Sequence, residues 1–295
     1  MGIMKTDVVC PLYKADEYID ALLSGLKNQK GIEIVRGIFP VTKCDGAEAV
    51  AQKVLDAGFE CFFVEKSEFS HSLTREKAIK DYCESDVVVM LSQDVKLIKD
   101  DALALLSGSV NAETVYAYGR QVCAKRNIEY YVRLKNYGDK SFIVTRDDVE
   151  RLQLKAFFAS DAFSAYYRPV FIALGGYDGI NMMMSEDMYY AKKVIDNGYK
   201  KAYVAEAVVE HSHKFTLKQL YKRYYDTGVW FAEHGEFDNY KTNDTGLKLA
   251  LSVFAQALKH FNIPVLLRFF PDMAARYFGM RKGKKAGIKA SENKE

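Results

Sequence analysis

The chain has 295 residues, 49% hydrophobic and 27% charged, with a formal net charge of +3. That length holds one large domain or a domain with an appendage, and that mix is a soluble globular protein with a real core. The near-neutral balance gives no support to general nucleic-acid binding, and no apolar run reaches the ~18 residues of a membrane span.

The opening MGIMKTDVVCPLY runs straight into a strand pattern, without the charged region and long apolar stretch of a secretory signal. TDVVCPLY predicts a buried strand. ADEYIDALLSGLKNQ predicts a helix with Ile19, Leu22, Leu23 and Leu26 on one face and Asp16 as N-cap. IEIVRGIFPV is the next strand, GAEAVAQKVLDAG a helix closed by Gly58, and ECFFVE a third strand. TREKAIKDYCES predicts a helix and DVVVMLSQD a fourth strand. Strands alternating with helices predict an α/β fold, a mostly parallel sheet with helices on both faces. Ligands in such sheets bind at the carboxyl ends of the strands, where Pro11 to Tyr13, Glu65 to His71 and Ser92 to Asp94 fall.

The second half is less regular. ETVYAYGRQ and DAFSAYYRP read as strands, SEDMYYAKKVIDNGY as a helix, and KKAYVAEAVVEHSH as one or two short strands. From Thr216 the pattern is helical, so residues 1–215 are expected to form a catalytic domain and 216–295 a helical extension with a basic tail. GLKLALSVFAQALKHF sets Leu247, Leu251, Phe254, Leu258 and Phe261 on one face. The following IPVLLRFFPDMAARYFGMRKGKKAGIK mixes apolar anchors with Lys and Arg, the pattern of an interfacial membrane segment or of a face packed on the domain or a second subunit. Five cysteines without a C-x-x-C pair (Cys10, Cys44, Cys61, Cys83, Cys123) read as reduced thiols of a cytoplasmic protein.

Several side chains carry candidate chemistry. Asp94 ends a buried run, where a carboxylate holds a divalent cation or forms a turn. Glu186 and Asp187 open a helix that Ser185 is placed to cap; acids favour that turn through the dipole, and they also suit a general base with an orienting neighbour. Gly175, Gly176 and Gly179 are expected to make the preceding loop pliable. In FSHSLTRE, His71, Thr74 and Arg75 stand between strand and helix, where an anion site or an N-cap Thr with a surface Arg is expected. Arg120 in YGRQ is a further candidate phosphate or sugar contact. His211 and His213 share one face if the strand continues through them, where two imidazoles either ligate a metal or simply end the strand.

In this order, VVCPLYKADEYIDALLSGLKNQ, FSHSLTRE, LSQDV, YGRQ, GGYDG and SEDMYYAKKVIDNGYKKAYVAEAVVEHSH with FTLKQLYKRYYDTGVW resemble family 2 nucleotide-sugar glycosyltransferases of the GT-A fold, in their bacterial rhamnosyltransferase branch. The resemblance covers about residues 6 to 235. It implies inverting transfer of rhamnose from dTDP-rhamnose to a lipid-linked or growing surface polysaccharide, with Mg²⁺ or Mn²⁺ as cofactor. It further implies Asp187 as base beside Glu186, and Asp94 with His211 or His213 at the metal. Pro11, Tyr13, Asp45, His71, Thr74, Arg75, Gln93 and Arg120 would then hold the donor. A cytoplasmic protein, peripheral on the membrane or self-associating, goes with that reading. The chain departs from the family in two places. SQD lacks the first acid of the metal motif, and FPVTKCDGAEA keeps only Asp45-Gly46 of the motif that contacts the base. A nucleotidyltransferase is the rival enzyme, though no glycine-rich loop follows the first strand. A decayed nucleotide-sugar or carbohydrate binding module is the rival without catalysis.

Overall fold

The computed structural model describes residues 3–241 and 245–292. In chain order its regular elements are β1 (Met4–Val9), α1 (Ile19–Lys27), β2 (Ile32–Thr42), α2 (Ala47–Asp56), β3 (Glu60–Val64), α3 (His71–Asp81), β4 (Val87–Leu91), α4 (Ala102–Ser107), β5 (Thr114–Val122), α5 (Ile128–Asn136), β6 (Phe142–Val144), α6 (Val149–Leu152), β7 (Phe163–Tyr167), α7 (Arg168–Ala173), α8 (Glu186–Asp196), β8 (Lys200–Glu210), α9 (Leu217–Glu233), α10 (Thr245–Lys259) and α11 (Ile263–Glu292). They form two compact units. The first comprises Met1–Val122, Tyr137–Asp148 and Phe157–His211; the second comprises Cys123–Asn136, Val149–Ala156 and Ser212–Glu295. The second unit thus takes in two segments that the sequence pattern assigns to the catalytic domain.

The first unit is built on one eight-stranded sheet in the order β3-β2-β1-β4-β7-β5-β8-β6. The expected parallel pairing holds for β3, β2, β1 and β4 and for β5 with β8. β7 enters antiparallel between β4 and β5, and β6 closes the edge antiparallel to β8. Period-two alternation separates the faces. Val8, Cys10, Phe39, Val41, Val89 and Leu91 share a core with Leu22 of α1, Val50 of α2 and Leu103 of α4. Tyr116 and Tyr166, on the opposite face, pack their rings on Tyr190 of α8 and Phe171 of α7. The predicted stripe Ile19, Leu22, Leu23 and Leu26 is buried, each side chain contributing about 1.5–3 kcal/mol by leaving water.

Three local expectations fail. Asp16 does not cap α1: Tyr18 holds the cap position with no side-chain cap, and the Ala15 carbonyl accepts the Tyr18 and Ile19 N–H groups at 2.9 Å each. A backbone turn does what the carboxylate was expected to do. α3 starts at His71, before the predicted TRE, because Ser70 Oγ accepts the Leu73 N–H at 2.9 Å; Thr74 is not its cap. Ser185 precedes α8 in the left-handed region (φ 60°) and makes no side-chain cap.

The second unit is helical. Thr216 and Gln219 form a reciprocal capping box at the start of α9. α9 and α11 pack backbone to backbone. A Cβ added at Gly279 would lie 2.6 Å from the Tyr221 carbonyl oxygen, and one at Gly228 or Gly283 would run into main-chain atoms of the facing helix. Arg276 of α11 donates to Tyr224 Oη at 2.6 Å, Asp272 at 2.6 Å and Glu129 at 2.7 Å. Ile128, Tyr131, Val253, Ala257, Val265 and Phe269 make a small core among α5, α10 and α11. Leu247, Leu251 and Leu258 of α10 lie outside it with Phe261, all exposed, while Phe254 is partly covered. Among the described residues no helix is long and apolar enough to cross a membrane.

Candidate active site

A cavity of about 440 Å³ opens at the carboxyl ends of β1 and β4, where a doubly covered sheet exposes loops. Pro11, Tyr13, His71, Arg75, Gln93 and Asp94 line it, six of the residues singled out from the sequence. Asp45, Thr74, Arg120, Glu186 and Asp187 are not among its lining. Gln93 works as a clamp between two loops: its Oε1 accepts the Tyr13 N–H at 2.7 Å and its Nε2 donates to the Tyr13 carbonyl at 2.9 Å. Lys14, at φ 49°, follows that clamped residue, and the ammonium groups of Lys14 and Lys66 stand 5.7 and 5.9 Å from the Tyr13 ring centroid. Asp45 is exposed in the turn before α2. Thr74 Oγ1 accepts the Ser70 N–H at 3.3 Å, a bond inside the helix start. Arg120 lies on β5 where its register against β8 shifts.

Arg75, expected as an anion contact, is buried and ion-paired with Glu186, with Asp161 at 3.8 Å. It reaches from the cavity to the acidic start of α8. Burial pushes the Glu186 carboxyl up, and the guanidinium opposes that shift. Asp187, half-buried beside it, is pushed up to about 6, first by burial and then by the neighbouring Asp161 charge. It keeps two backbone donors, Met188 N–H at 2.7 Å and Asp161 N–H at 3.4 Å. A carboxylate with few donors and a pKa near working pH is suited to accept a proton.

Asp161 was not anticipated. It is buried and accepts the Tyr116 hydroxyl at 2.8 Å, Tyr166 at 2.6 Å, Tyr177 at 3.1 Å and Ser164 at 2.7 Å. Burial drives the three phenols well up, so they remain neutral donors. The cage sets the Asp161 backbone, and the Asp161 N–H in turn holds Asp187. Lys201 of β8 is also buried; it donates to the Phe158 carbonyl, and burial lowers it to about 7 against the opposing pull of Asp187. Its only sequence signal was a lysine inside a strand, and Asp161 had none.

The glycine loop before α8, expected to be pliable, is closely packed at Gly176 and open at Gly179. Gly176 (φ 63°) leaves no room for a Cβ, which would sit 3.0 Å from Glu76 Cδ and from the Phe171 ring. Glu76 Oε2 accepts the Tyr177 N–H at 2.8 Å, and Ser72 Oγ accepts the Met182 N–H at 2.7 Å. α3 therefore carries Arg75 on one turn and stitches down the loop that leads to Glu186 and Asp187 on the same stretch.

At the cavity floor Asp94 Oδ1 stands 3.3 Å from His211 Nε2, and His211 Nδ1 meets Gln121 Oε1 at 2.8 Å. The amide oxygen can only accept, so Nδ1 carries a proton and Nε2 is the nitrogen turned toward the carboxylate. An imidazole nitrogen beside a carboxylate, with the far nitrogen fixed by an outer partner, is a ligand set that suits a divalent cation. The histidines do not share a strand face, because β8 ends at Glu210. His213 belongs to the second unit and tilts its ring on Phe215.

No protein-family profile matches the chain. It is 33% identical over 232 residues to the O-antigen chain rhamnosyltransferase RfbN of Salmonella typhimurium, a match spanning 78% of this chain and 73% of that protein. It is 41% identical over 172 residues to the O-antigen chain rhamnosyltransferase WbaN of Salmonella anatum, spanning 57% and 54%. Among solved structures, the mannosyltransferase PcManGT of Pyrobaculum calidifontis, in complex with GDP-Man and Mn²⁺, superposes with a TM-score of 0.59 at 16% identity over 98% of this chain and 88% of that one. S. aureus TarS superposes with a TM-score of 0.55 at 15% identity, over 96% and 55%. These two likenesses establish the fold, and it is the one that the sequence motifs imply.

Proposed function

This chain belongs to the family 2 glycosyltransferases, in their bacterial rhamnosyltransferase branch, and from that premise we propose that it moves rhamnose from dTDP-rhamnose, with inversion, onto a lipid-linked or growing O-antigen-type polysaccharide. The observation that carries the reading is the half-buried Asp187 carboxylate, raised to about 6 and oriented by the Asp161 N–H, beside a Glu186 locked to Arg75. Asp187 takes the proton of the acceptor hydroxyl as that oxygen attacks the sugar carbon from the face opposite the nucleotide. The bond from that carbon to the diphosphate breaks with its electron pair on the leaving oxygen, so no covalent enzyme intermediate forms.

The donor occupies the cavity at the ends of β1 and β4. Tyr13, held by Gln93, offers a ring face beside two ammonium groups, and His71 stands at the start of α3. Asp94 and His211 would hold Mg²⁺ or Mn²⁺, with His213 a third ligand on its place in the sequence alone. Such an ion stabilises the negative charge that develops on the departing diphosphate. Arg75 acts one step back, holding Glu186 in place. Residues 1–215 form the catalytic part in this reading, and the helical remainder sits on the cytoplasmic face of the membrane that holds the acceptor.

The test is turnover of full-length protein with dTDP-rhamnose, Mn²⁺ and a saccharide acceptor, preceded by a thermal-shift screen of nucleotide sugars. A donor at 100 times its Kd stabilises by roughly 2.7 kcal/mol. The reading expects the largest shift from dTDP-rhamnose and release of dTDP only when acceptor is present. A larger shift from a GDP- or UDP-sugar overturns the donor assignment. Pyrophosphate release from a nucleoside triphosphate and a sugar phosphate would make it a nucleotidyltransferase. Donor binding that never turns over would make it a binding module.

A further inference from the structure

The second unit contains a cavity of about 380 Å³ of its own, separate from the donor cavity in its lining. Two helices start at its wall. Asn127 precedes α5 and accepts the Tyr130 N–H at 3.0 Å, and Asn262 precedes α11 and accepts the Val265 N–H at 3.4 Å. The Asn262 amide donates to the Arg126 carbonyl at 2.7 Å and so ties the two starts together. Both helices have eight or more residues and point their positive ends at this space.

Four cationic side chains line the same cavity: Lys125, Arg126, Lys214 and Arg268. Its two carboxylates, Glu129 and Asp272, both pair with Arg276 at 2.7 and 2.6 Å, and Asp272 also faces Arg268 at 3.8 Å, so five cations stand against two acids. The balance left for a ligand is positive. Directly along the chain from Asn262, one side of α11 carries exposed Ile263, Leu267 and Phe270, at helical spacing, with Phe261 (82% exposed) at its foot. α10, packed on α11, adds exposed Leu251 and Leu258. An apolar surface therefore borders a cationic pocket.

We propose that this pocket binds the phosphate or diphosphate head of a membrane lipid, whose apolar chain lies along the exposed faces of α10 and α11. The charge complementarity and the adjoining apolar rows name the ligand class: an amphiphile whose apolar chain carries a phosphate or diphosphate. The proposal rests on the reading that the acceptor is lipid-linked, since such a head is then the acceptor's anchor. Non-bridging phosphate oxygens accept from guanidinium and ammonium groups that converge on one pocket, whereas a simple anionic surface needs only scattered lysines.

The experiment is flotation of full-length protein, without donor or metal, on phosphatidylcholine vesicles of three kinds. One contains a prenyl diphosphate, one contains phosphatidylglycerol at matched surface charge, and one contains neither. Inorganic pyrophosphate is the soluble competitor. Binding is expected to be strongest on the diphosphate vesicles and to fall with millimolar pyrophosphate. Replacing Lys125, Arg126 and Lys214 by Ala, all exposed positions, is expected to weaken that binding at least about tenfold. The same variant should keep its thermal shift with dTDP-rhamnose, which shows that it is folded. Equal binding to both charged vesicles, or a folded triple variant that binds as tightly as the parent, overturns the headgroup site. Binding to pyrophosphate alone, with no flotation, assigns the pocket to a soluble phosphate compound and overturns the lipid. None of these readouts uses sugar transfer, so a failed rhamnosyl assay and a failed headgroup site are told apart.

Discussion

The proposed reading concentrates the chemistry in the Asp187 carboxyl group, whose environment predicts how it titrates. Burial and Asp161 raise it to about 6, so it is charged above that pH and protonated below it. A base must be charged to act, so kcat/KM is expected to fall as pH drops through about 6, where an ordinary Asp would hold activity to about 4. A pH–rate profile flat down to pH 5 would remove Asp187 from the role. Asp187→Asn should cut kcat by at least about 10²-fold while donor binding stays near normal. A raised carboxyl pKa also means that the folded state holds its proton more tightly than the unfolded chain. That contribution to stability is full below the unfolded value and lost as pH rises through the folded one. Asp187→Asn is therefore expected to melt no lower than the parent at pH 8, which calorimetry checks. Asp94→Ala belongs to the same scale: it should weaken dTDP binding in Mn²⁺ and change little in EDTA. Identical affinities in both buffers and both proteins would take the cation away from Asp94 and His211. The sequence pointed to Asp187, Asp94 and His211 because acids at a helix start and at a strand end have a local signature. Asp161 has none, since its meaning comes from Tyr116, Tyr166 and Tyr177, which reach it only once β5, β7 and the loop after α7 are folded together.

At the level of elements, α3 deserves the most weight. Its Ser72 and Glu76 fasten the glycine loop, and its Arg75 fastens Glu186, so one helix sets both the approach to α8 and the charge at its start. Gly176→Ala is expected to destabilise by about 1–3 kcal/mol, because the left-handed φ and the occupied space both oppose a methyl group. A lower denaturant midpoint with unchanged slope would show it, and an unchanged midpoint would mean that the loop yields. The strands and helices through β4 were legible because apolar periodicity and βαβ alternation are local. The antiparallel entry of β7 between β4 and β5 was not, since DAFSAYYRP reads equally well in either direction and strand order is settled by packing. The caps failed for a related reason: Asp16 and Ser185 have the right residue type, but backbone turns fixed the chain there first.

The molecule has a sheet-based unit that holds every candidate catalytic carboxylate and a helical unit that carries the exposed apolar rows of α10 and α11. Dissecting the helical unit by deleting everything after His260 would remove α11, whose Gly279 and Gly283 pack against α9, so a loss of binding would report misfolding. Surface substitutions serve better. Phe261→Glu with Leu267→Glu, at positions 82% and 75% exposed, should abolish flotation on lipid vesicles while leaving the melting temperature and donor binding unchanged. Retained flotation would show that these side chains do not enter the bilayer. The sequence showed the apolar and basic stretches of this region, but not that residues 123–136 and 149–156 join it, because contact between segments so far apart leaves no periodic trace.

The glycine contact between α9 and α11 carries a further implication. Gly279, Gly283 and Gly287 recur every fourth residue, so sliding α11 by four residues, about 6 Å along its axis, again lays glycine on the spine of α9. The surface is a ratchet with equivalent teeth, and smooth backbone contact does little to choose among them. The choice falls to contacts off that seam: Arg276 on Tyr224 and Glu129, Lys284 on Asp238 at 2.6 Å, and Val265 and Phe269 in the core shared with α5 and α10. With Arg276→Ala, Lys284→Ala and Phe269→Ala together, the hold on one notch is weakened. Engineered cysteine pairs would then cross-link at offsets of four as well as zero, whereas the parent would cross-link at zero alone.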